Sequence, residues 1–356
     1  MKFTDELGRR YMGRWERALL CYAADEAVRT GAASGGAVSA LLLHLLETGQ
    51  IDGAIVTRIA CEDGRIGSRV TLATDRDGVL AARTSKYFPV PLIAGCRRLL
   101  AEFSGRVAIV ALPCQTAALR RMAARDPHLA ERLAFIITLF CNHTSERHLL
   151  DKVLARKGID QERVTEFAFK RGWWRGRMGG TLADGTEFSF PYTYYSYYQN
   201  LNFFILPRCL RCHDHTGYEG DFSAGDAWLP EMKREPIKHT VLLARTPEAT
   251  AVLGELADSG QLIGQPVSAR DVFRSQKRAI TYHYNVSARA RAGRWHGIRI
   301  EDTVQARVRW NDWLVAHMTL LNYRWSRSQR YRDWIFAVPR PIIMAYCVLM
   351  KLLENF

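Results

Sequence analysis

Four cysteines carry most of the chemistry this chain offers. Arg208-Cys209-Leu210-Arg211-Cys212-His213 holds a Cys-x-x-Cys pair. That spacing brings two thiolates within reach of one zinc ion, one iron–sulfur cluster or one redox disulfide. A pair cannot close a four-ligand site, so further ligands must come from elsewhere. Cys114, in Pro113-Cys114-Gln115, and Cys141, in Phe140-Cys141, each stand at the end of a continuous apolar run. Together the four suit zinc or a 4Fe-4S cluster. Structural zinc usually takes two tight knuckles close in sequence. Here two ligands come singly, which favours a cluster built into a fold, with zinc and four unrelated cysteines left open. A separate reading makes Cys114 a nucleophile with His143 as its base, though no acidic orienter can be named.

The elements that must position these residues read as α/β. Arg106–Leu112 and Ala134–Phe140 are uninterrupted apolar segments, as expected of parallel strands buried on both faces. The first leads into a helix expected from Thr116. The second leads into a helix capped by Ser145 and stopped by Gly158. Consecutive strands joined by a helix pair in parallel, so Cys114 and Cys141 should leave one carboxyl-end edge, where open α/β sheets bind ligands. Upstream, Leu19–Ala24 reads as a strand and Ala37–Leu46 as a helix entered through Ser34-Gly35-Gly36. A glycine turn opening a helix suits phosphate, although an ordinary cap is the blander account. Lys86, in Ser85-Lys86-Tyr87, could hold a phosphate or stay solvated. Cys96 and Cys347 read as small apolar fillers.

From Val164 the composition shifts. Phe167–Trp174 precedes a hairpin expected over Gly180–Phe188, and Tyr192–Phe204 is crowded with aromatics that would cover the site. Residues beyond Ala288 are rich in Arg and Trp with helical patterning. The fold class is therefore α/β: a mostly parallel sheet flanked by helices, an inserted antiparallel, aromatic segment and a helical C-terminal tail. The expected divisions are 1–20 as a peripheral extension, 21–160, 161–290 and 291–356.

Composition bounds the rest. The chain has 356 residues, 48% hydrophobic, with a formal net charge of +14. This suffices for a large core and leaves a surface suited to acidic partners. No basic recognition helix or second knuckle marks a nucleic-acid reader. Eight cysteines, six standing alone, do not form a disulfide framework, and Met1–Glu6 holds no apolar signal region. Both point to a reducing, cytoplasmic setting. The apolar run Pro341–Met350 is too short to span a bilayer, and suits a docked helix or peripheral contact with a membrane.

In order along the chain, Cys21-Tyr22-Ala23-Ala24, Ser34-Gly35-Gly36, Gly53-Ala54, Ser85-Lys86-Tyr87, Pro113-Cys114-Gln115, Phe140-Cys141, the Cys209/Cys212 pair and Gly225-Asp226-Ala227-Trp228 occur. This series resembles the family of coenzyme F420 hydrogenase/dehydrogenase beta subunits. The resemblance runs from about Cys21 to Trp228, more loosely to about residue 290. It implies an oxidoreductase with FAD and a 4Fe-4S cluster, moving electrons between iron–sulfur centres and a hydride carrier such as coenzyme F420 or an organic substrate. Cys114, Cys141, Cys209 and Cys212 would hold the cluster. Ser34, Gly35, Gly36, Ala37 and Lys86 would line the FAD phosphate region, with Asp226 beside the flavin and Asp226 and His143 as catalytic residues. Two departures stand out. No ferredoxin-like cysteine segment is present, so a ferredoxin-like acidic partner would exchange the electrons. Asn142-His143 also replaces the His-Gly that often follows the second cysteine. A non-catalytic electron-relay or scaffold subunit, tied to surface-polysaccharide synthesis, is the alternative implied.

Overall fold

The computed structural model describes residues 5–172 and 176–355; Trp173 and Trp174 of the aromatic run, and the first four residues, lie outside these. The strands are β1 (Arg17–Ala23), β2 (Gly53–Glu62), β3 (Arg65–Ala73), β4 (Val107–Ala111), β5 (Leu133–Leu139), β6 (Val164–Arg171), β7 (Arg177–Leu182), β8 (Glu187–Pro191), β9 (Phe222–Asp226), β10 (Thr240–Ala244) and β11 (Leu262–Pro266). Eight form one sheet in the order β11-β1-β10-β9-β5-β4-β2-β3, and β6-β7-β8 form a small antiparallel sheet. The central strands β2, β4, β5 and β9 pair in parallel, while both flanks pair antiparallel. Following these pairings, β1, β2, β4, β5 and β9 share one direction, so five of eight strands end at one edge.

Burial explains why the apolar runs become strands. β4 is Val-Ala-Ile-Val-Ala, with Val107, Ala108 and Ile109 fully buried between helices on both faces. One face packs on the helices Ala37–Glu47 and Pro247–Asp258, the other on Leu92–Glu102 and Pro113–Ala123. Leu41, Leu42, Leu43 and Leu45 are all buried in the first of these helices, each worth about 2 kcal/mol. The insert forms a second core, in which Phe167, Phe169, Tyr195 and Phe204 meet the helices Arg147–Arg156, Thr193–Asn200 and Arg340–Asn355.

Three local expectations are corrected. The helix after β4 begins at Pro113 rather than Thr116, because proline's fixed φ and missing N–H suit the first helical position. Ser145 does not cap the next helix; it forms a β-bridge with Ile205, and the helix starts at Arg147. Residues 5–20 are not peripheral: Asp5–Met12 is helical, and Tyr11 and Met12 are buried against the helix Ala269–Tyr284. The 21–160 and 161–290 stretches also share the main sheet, since β9 to β11 complete what β1 to β5 begin.

Candidate functional site

The parallel pairing of β4 and β5 delivers Cys114 and Cys141 to the same edge of the sheet. Cys114 sits in the first helical turn, and Cys141 lies two residues beyond the end of β5. The knuckle is brought to them by stitched backbone. Leu206 N–H donates to Thr144 at 3.0 Å, Glu146 N–H to Phe204 at 2.6 Å, and Cys141 N–H to His215 at 2.9 Å. Pro207 then opens a 3₁₀ turn, Pro207–Arg211. With three residues per turn, such a turn sets Cys209 and Cys212 on one side.

The four sulfurs act on one another. Burial pushes the Cys141 thiol well up, and Cys209, Cys212 and Cys114 push it further. Burial raises Cys209, with Cys114 adding to it, and lifts Cys212 to about 12, with Cys209 and Cys114 again contributing. Thiols so placed ionise together only when positive charge is brought among them. Among the described residues, no three His, Cys, Asp or Glu side chains close tightly enough for a single ion.

A buried polar shell grips the backbone of this site. Tyr282 Oη donates to the Cys209 carbonyl at 3.1 Å and Arg289 Nε to the Leu210 carbonyl at 2.8 Å. His283 places its two ring nitrogens 2.9 Å from the carbonyls of Cys212 and Cys141. Arg289 is the unusual member. It is 2% exposed, stands 4.1 Å over the Tyr282 ring, and leaves Nη2 without a hydrogen bond. No carboxylate among the described residues pairs with it; the groups acting on it are Tyr282, Cys212 and Cys209. Buried charges are ordinarily paired.

A concave space of about 410 Å³, including its open mouth, lies beside this edge, lined by Ser34, Lys170, Asp226, Trp228, Lys238 and His239 among others. Asp226 ends β9, and Lys170 reaches it from β6 at 3.1 Å. Lys170 is surrounded by Trp228, Tyr192 and Tyr87, with ring centroids 4.9, 5.5 and 5.6 Å from Nζ. Burial disfavours its charge, but the Asp226 carboxylate and Tyr87 outweigh burial and hold the ammonium above the usual lysine range. A chain of contacts joins the two places: Cys141 C=O to His215 Nδ1 at 3.2 Å, His215 Nε2 to Gln276 Oε1 at 3.2 Å, and Gln276 Nε2 to the Asp226 carbonyl.

Of the residues read from sequence, Ser34 and Asp226 line this space. Gly35, Gly36 and Ala37 lie behind Ser34 and serve the protein's own packing. A Cβ on Gly35 would stand 2.8 Å from the Lys238 carbonyl and 2.9 Å from that of Cys21, while Gly36 takes φ +78° to enter the helix. Lys86 does not line it. Its Nζ donates to the carbonyls of Ala82, Arg83 and Thr84, closing the end of the helix Arg76–Ala81. His143 is buried outside the lining, with neither ring nitrogen hydrogen-bonded and its pKa pushed down to about 4 by burial. It therefore has no orienting acid for a general-base role. Sequence reading missed Lys170, Lys238, His215, Gln276, Tyr282, His283 and Arg289. One signal existed: Gln276 and His283 are seven apart, two turns of one helix, so two polar side chains share its buried face.

Family models match across this geometry. Coenzyme F420 hydrogenase/dehydrogenase, beta subunit N-term, matches residues 18–95, and its C terminus model matches residues 104–270. The chain belongs to this family. The family is one of electron-transfer oxidoreductase subunits. The chain is 29% identical over 233 residues to a coenzyme F420-dependent sulfite reductase of Methanocaldococcus jannaschii, covering 59% of this chain and 34% of the relative. It is 22% identical over 228 residues to the beta chain of the coenzyme F420 hydrogenase of Methanosarcina barkeri, covering 62% and 74%. The chain thus spans about a third of the first relative's length and about three quarters of the second's. A chain of the F420-reducing nickel–iron hydrogenase complex from Methanosarcina barkeri shares the fold, with a TM-score of 0.63 at 19% identity, covering 82% of this chain and 98% of that one.

Proposed function

We propose that this protein is an oxidoreductase subunit that binds FAD and a 4Fe-4S cluster and passes electrons between the cluster and a hydride-type carrier, coenzyme F420 or a similar organic substrate. One observation carries the cluster half: a buried guanidinium, Arg289, lies near Cys209 and Cys212, two of the four candidate ligands, with no carboxylate among the described residues paired to it. An anionic thiolate-ligated cluster would balance that charge. Cys114, Cys141, Cys209 and Cys212 would hold it, while Tyr282, His283 and Arg289 fix the backbone that carries the ligands.

The space beside Asp226 suits the other half. Lys170 and Lys238 bring positive charge to it, and the Trp228 ring offers an apolar face. Bound there, a flavin would supply the exchange between single electrons and a hydride. The chain's own part is to hold the Lys170–Asp226 pair at the mouth and to join it through Gln276 and His215 to Cys141. A basic surface would dock an acidic, ferredoxin-like protein or an anionic substrate.

A second reading, a cluster-bearing relay or scaffold subunit without flavin, is favoured by the glycines of the Ser34 turn being spent on packing and Lys86 on helix carbonyls. Anaerobic reconstitution with FAD, iron and sulfide, then gel filtration, separates the two. Flavin that co-elutes with the protein and bleaches on addition of reduced F420 supports the first. Iron retained with no flavin supports the second.

A further inference from the structure

The family models end at residue 270, and the chain continues into three helices, Val286–Trp295, Trp310–Arg327 and Arg340–Asn355. Thirteen of the fifteen large apolar side chains that stand exposed among the described residues fall between Trp295 and Leu352. That concentration exceeds ordinary surface scatter. The last helix shows it most clearly. Ile343, Met350 and Leu353 face the aromatic core, yet the opposite side is also apolar. At 100° per residue, Ile342, Ala345, Val348, Leu349 and Leu352 share an arc of about 120°, and all are exposed. Leu352 is 56% exposed. Arg340 and Lys351 border one side of the arc, and no acidic residue falls within it.

The neighbouring elements repeat the pattern with tryptophan. Trp310, Trp313 and Trp325 lie on the outer side of their helix, and Trp334 and Trp295 stand out beyond it. Trp295 and Trp310 are 79% and 67% exposed. Trp325 and Trp334 are joined through Tyr331: the Trp325 indole donates to the Tyr331 carbonyl at 2.7 Å, and the Tyr331 and Trp334 rings meet at 4.9 Å. The same stretch is also basic. Residues 291–356 hold eleven Lys and Arg against five Asp and Glu. Three of those acids are held by cations, Asp312 by Arg309, Asp333 by Lys152 and Glu354 by Arg278.

We propose that the surface from Trp295 to Leu352 lies on an anionic lipid membrane, with the Arg340–Asn355 helix in the plane of the interface. The helix is about 24 Å long at 1.5 Å per residue, too short for the hydrocarbon core, and among the described residues none is long and apolar enough to cross. An apolar arc edged by Arg and Lys, beside tryptophans that prefer the headgroup level, is the composition of an interfacial helix. The surplus positive charge complements anionic headgroups. A protein partner would instead need hydrogen-bonding groups to set its orientation, and this arc offers none.

Flotation of the full chain with vesicles tests this. Vesicles of about one-third phosphatidylglycerol in phosphatidylcholine should carry the protein at least about tenfold better than pure phosphatidylcholine, and added salt should weaken the attachment. The V348E/L352E double variant should lose at least about tenfold in binding, while I263E, which alters an exposed side chain on β11, should bind as the parent does. W295Q/W334Q gives a second variant should the first lose its helical circular dichroism. Failure to float with anionic vesicles, or binding unchanged in both double variants, overturns the proposal. So does a dimer in vesicle-free sedimentation that V348E/L352E converts to monomer, which assigns the face to a second copy, or retention on a protein partner that excludes vesicles.

Discussion

The Lys170–Asp226 pair ties the insert to the main sheet at the mouth of the candidate site, and its removal has a calculable cost. The Nζ–Oδ2 distance is 3.1 Å, and the side chains are 8% and 23% exposed. At an effective dielectric of about 20, that distance gives about 5 kcal/mol of attraction, most of it offset by the desolvation of both groups. Lys170→Met leaves Asp226 with its strongest neighbouring cation gone, and should cost about 3 kcal/mol. Asp226→Asn leaves Lys170 with its three aromatic rings, so its cost should be smaller, about 2 kcal/mol. The double variant K170M/D226N replaces the pair by uncharged groups and should fall well short of the sum, with a coupling of about 2–4 kcal/mol. The sign with pH follows. Lys170 holds its proton above the ordinary lysine range, so its stabilisation is fully present below about pH 10.4 and lost only as pH rises further. Urea unfolding of the four proteins at neutral pH measures the cycle. A coupling below about 1 kcal/mol would refute the reasoning, since exposed pairs give about 0.2–1 kcal/mol.

Gly35→Ala must push its Cβ against two backbone carbonyls, so it should destabilise by about 2–3 kcal/mol; a thermal melt unchanged from the parent would contradict the packing account. Burial pushes the Lys86 pKa down to about 7. The unfolded chain then binds the extra proton between about pH 7 and 10.4, and this group makes stability rise with pH across that window, by up to about 1.4 kcal/mol per unit. Lys86→Met should remove that slope in denaturation curves, and a parent whose slope matches the variant's would show that the three carbonyls keep Lys86 charged. Arg289→Met should lower the cluster's midpoint potential by tens of millivolts, on the order expected for loss of a nearby positive charge, and should cost about 1–3 kcal/mol of stability because the Leu210 and Tyr282 carbonyls lose their donor; an unshifted potential would separate Arg289 from the cluster's charge balance.

The parts of this fold that could be read in advance are those whose burial is one-dimensional in sequence. β4 and β5 are unbroken apolar runs, and their pairing follows from the helix between them, so the shared edge of Cys114 and Cys141 was legible. β11 was not, because Leu262-Ile263-Gly264-Gln265-Pro266 is an exposed edge strand with no period to recognise. The helix start at Pro113 was missed because a threonine three residues on offered a stronger side-chain cap. At the site, the Cys-x-x-Cys pair and Asp226 announce themselves by type and motif. Lys170 does not, since 56 residues separate it from its carboxylate and one lysine in a strand reads as a solvated one. Arg289 is hidden for the same reason: arginines dominate that stretch, and only the fold shows which one is buried.

The account depends most on four sulfurs from three separate stretches serving one inorganic centre. Iron and acid-labile sulfide, quantified on anaerobically reconstituted protein and on single serine variants of Cys114, Cys141, Cys209, Cys212 and Cys96, test it directly. The parent and Cys96→Ser should carry about four irons and four sulfides per chain, and each of the other variants should lose most of them. One zinc per chain in place of iron, or a full complement in Cys114→Ser and Cys141→Ser, would contradict it.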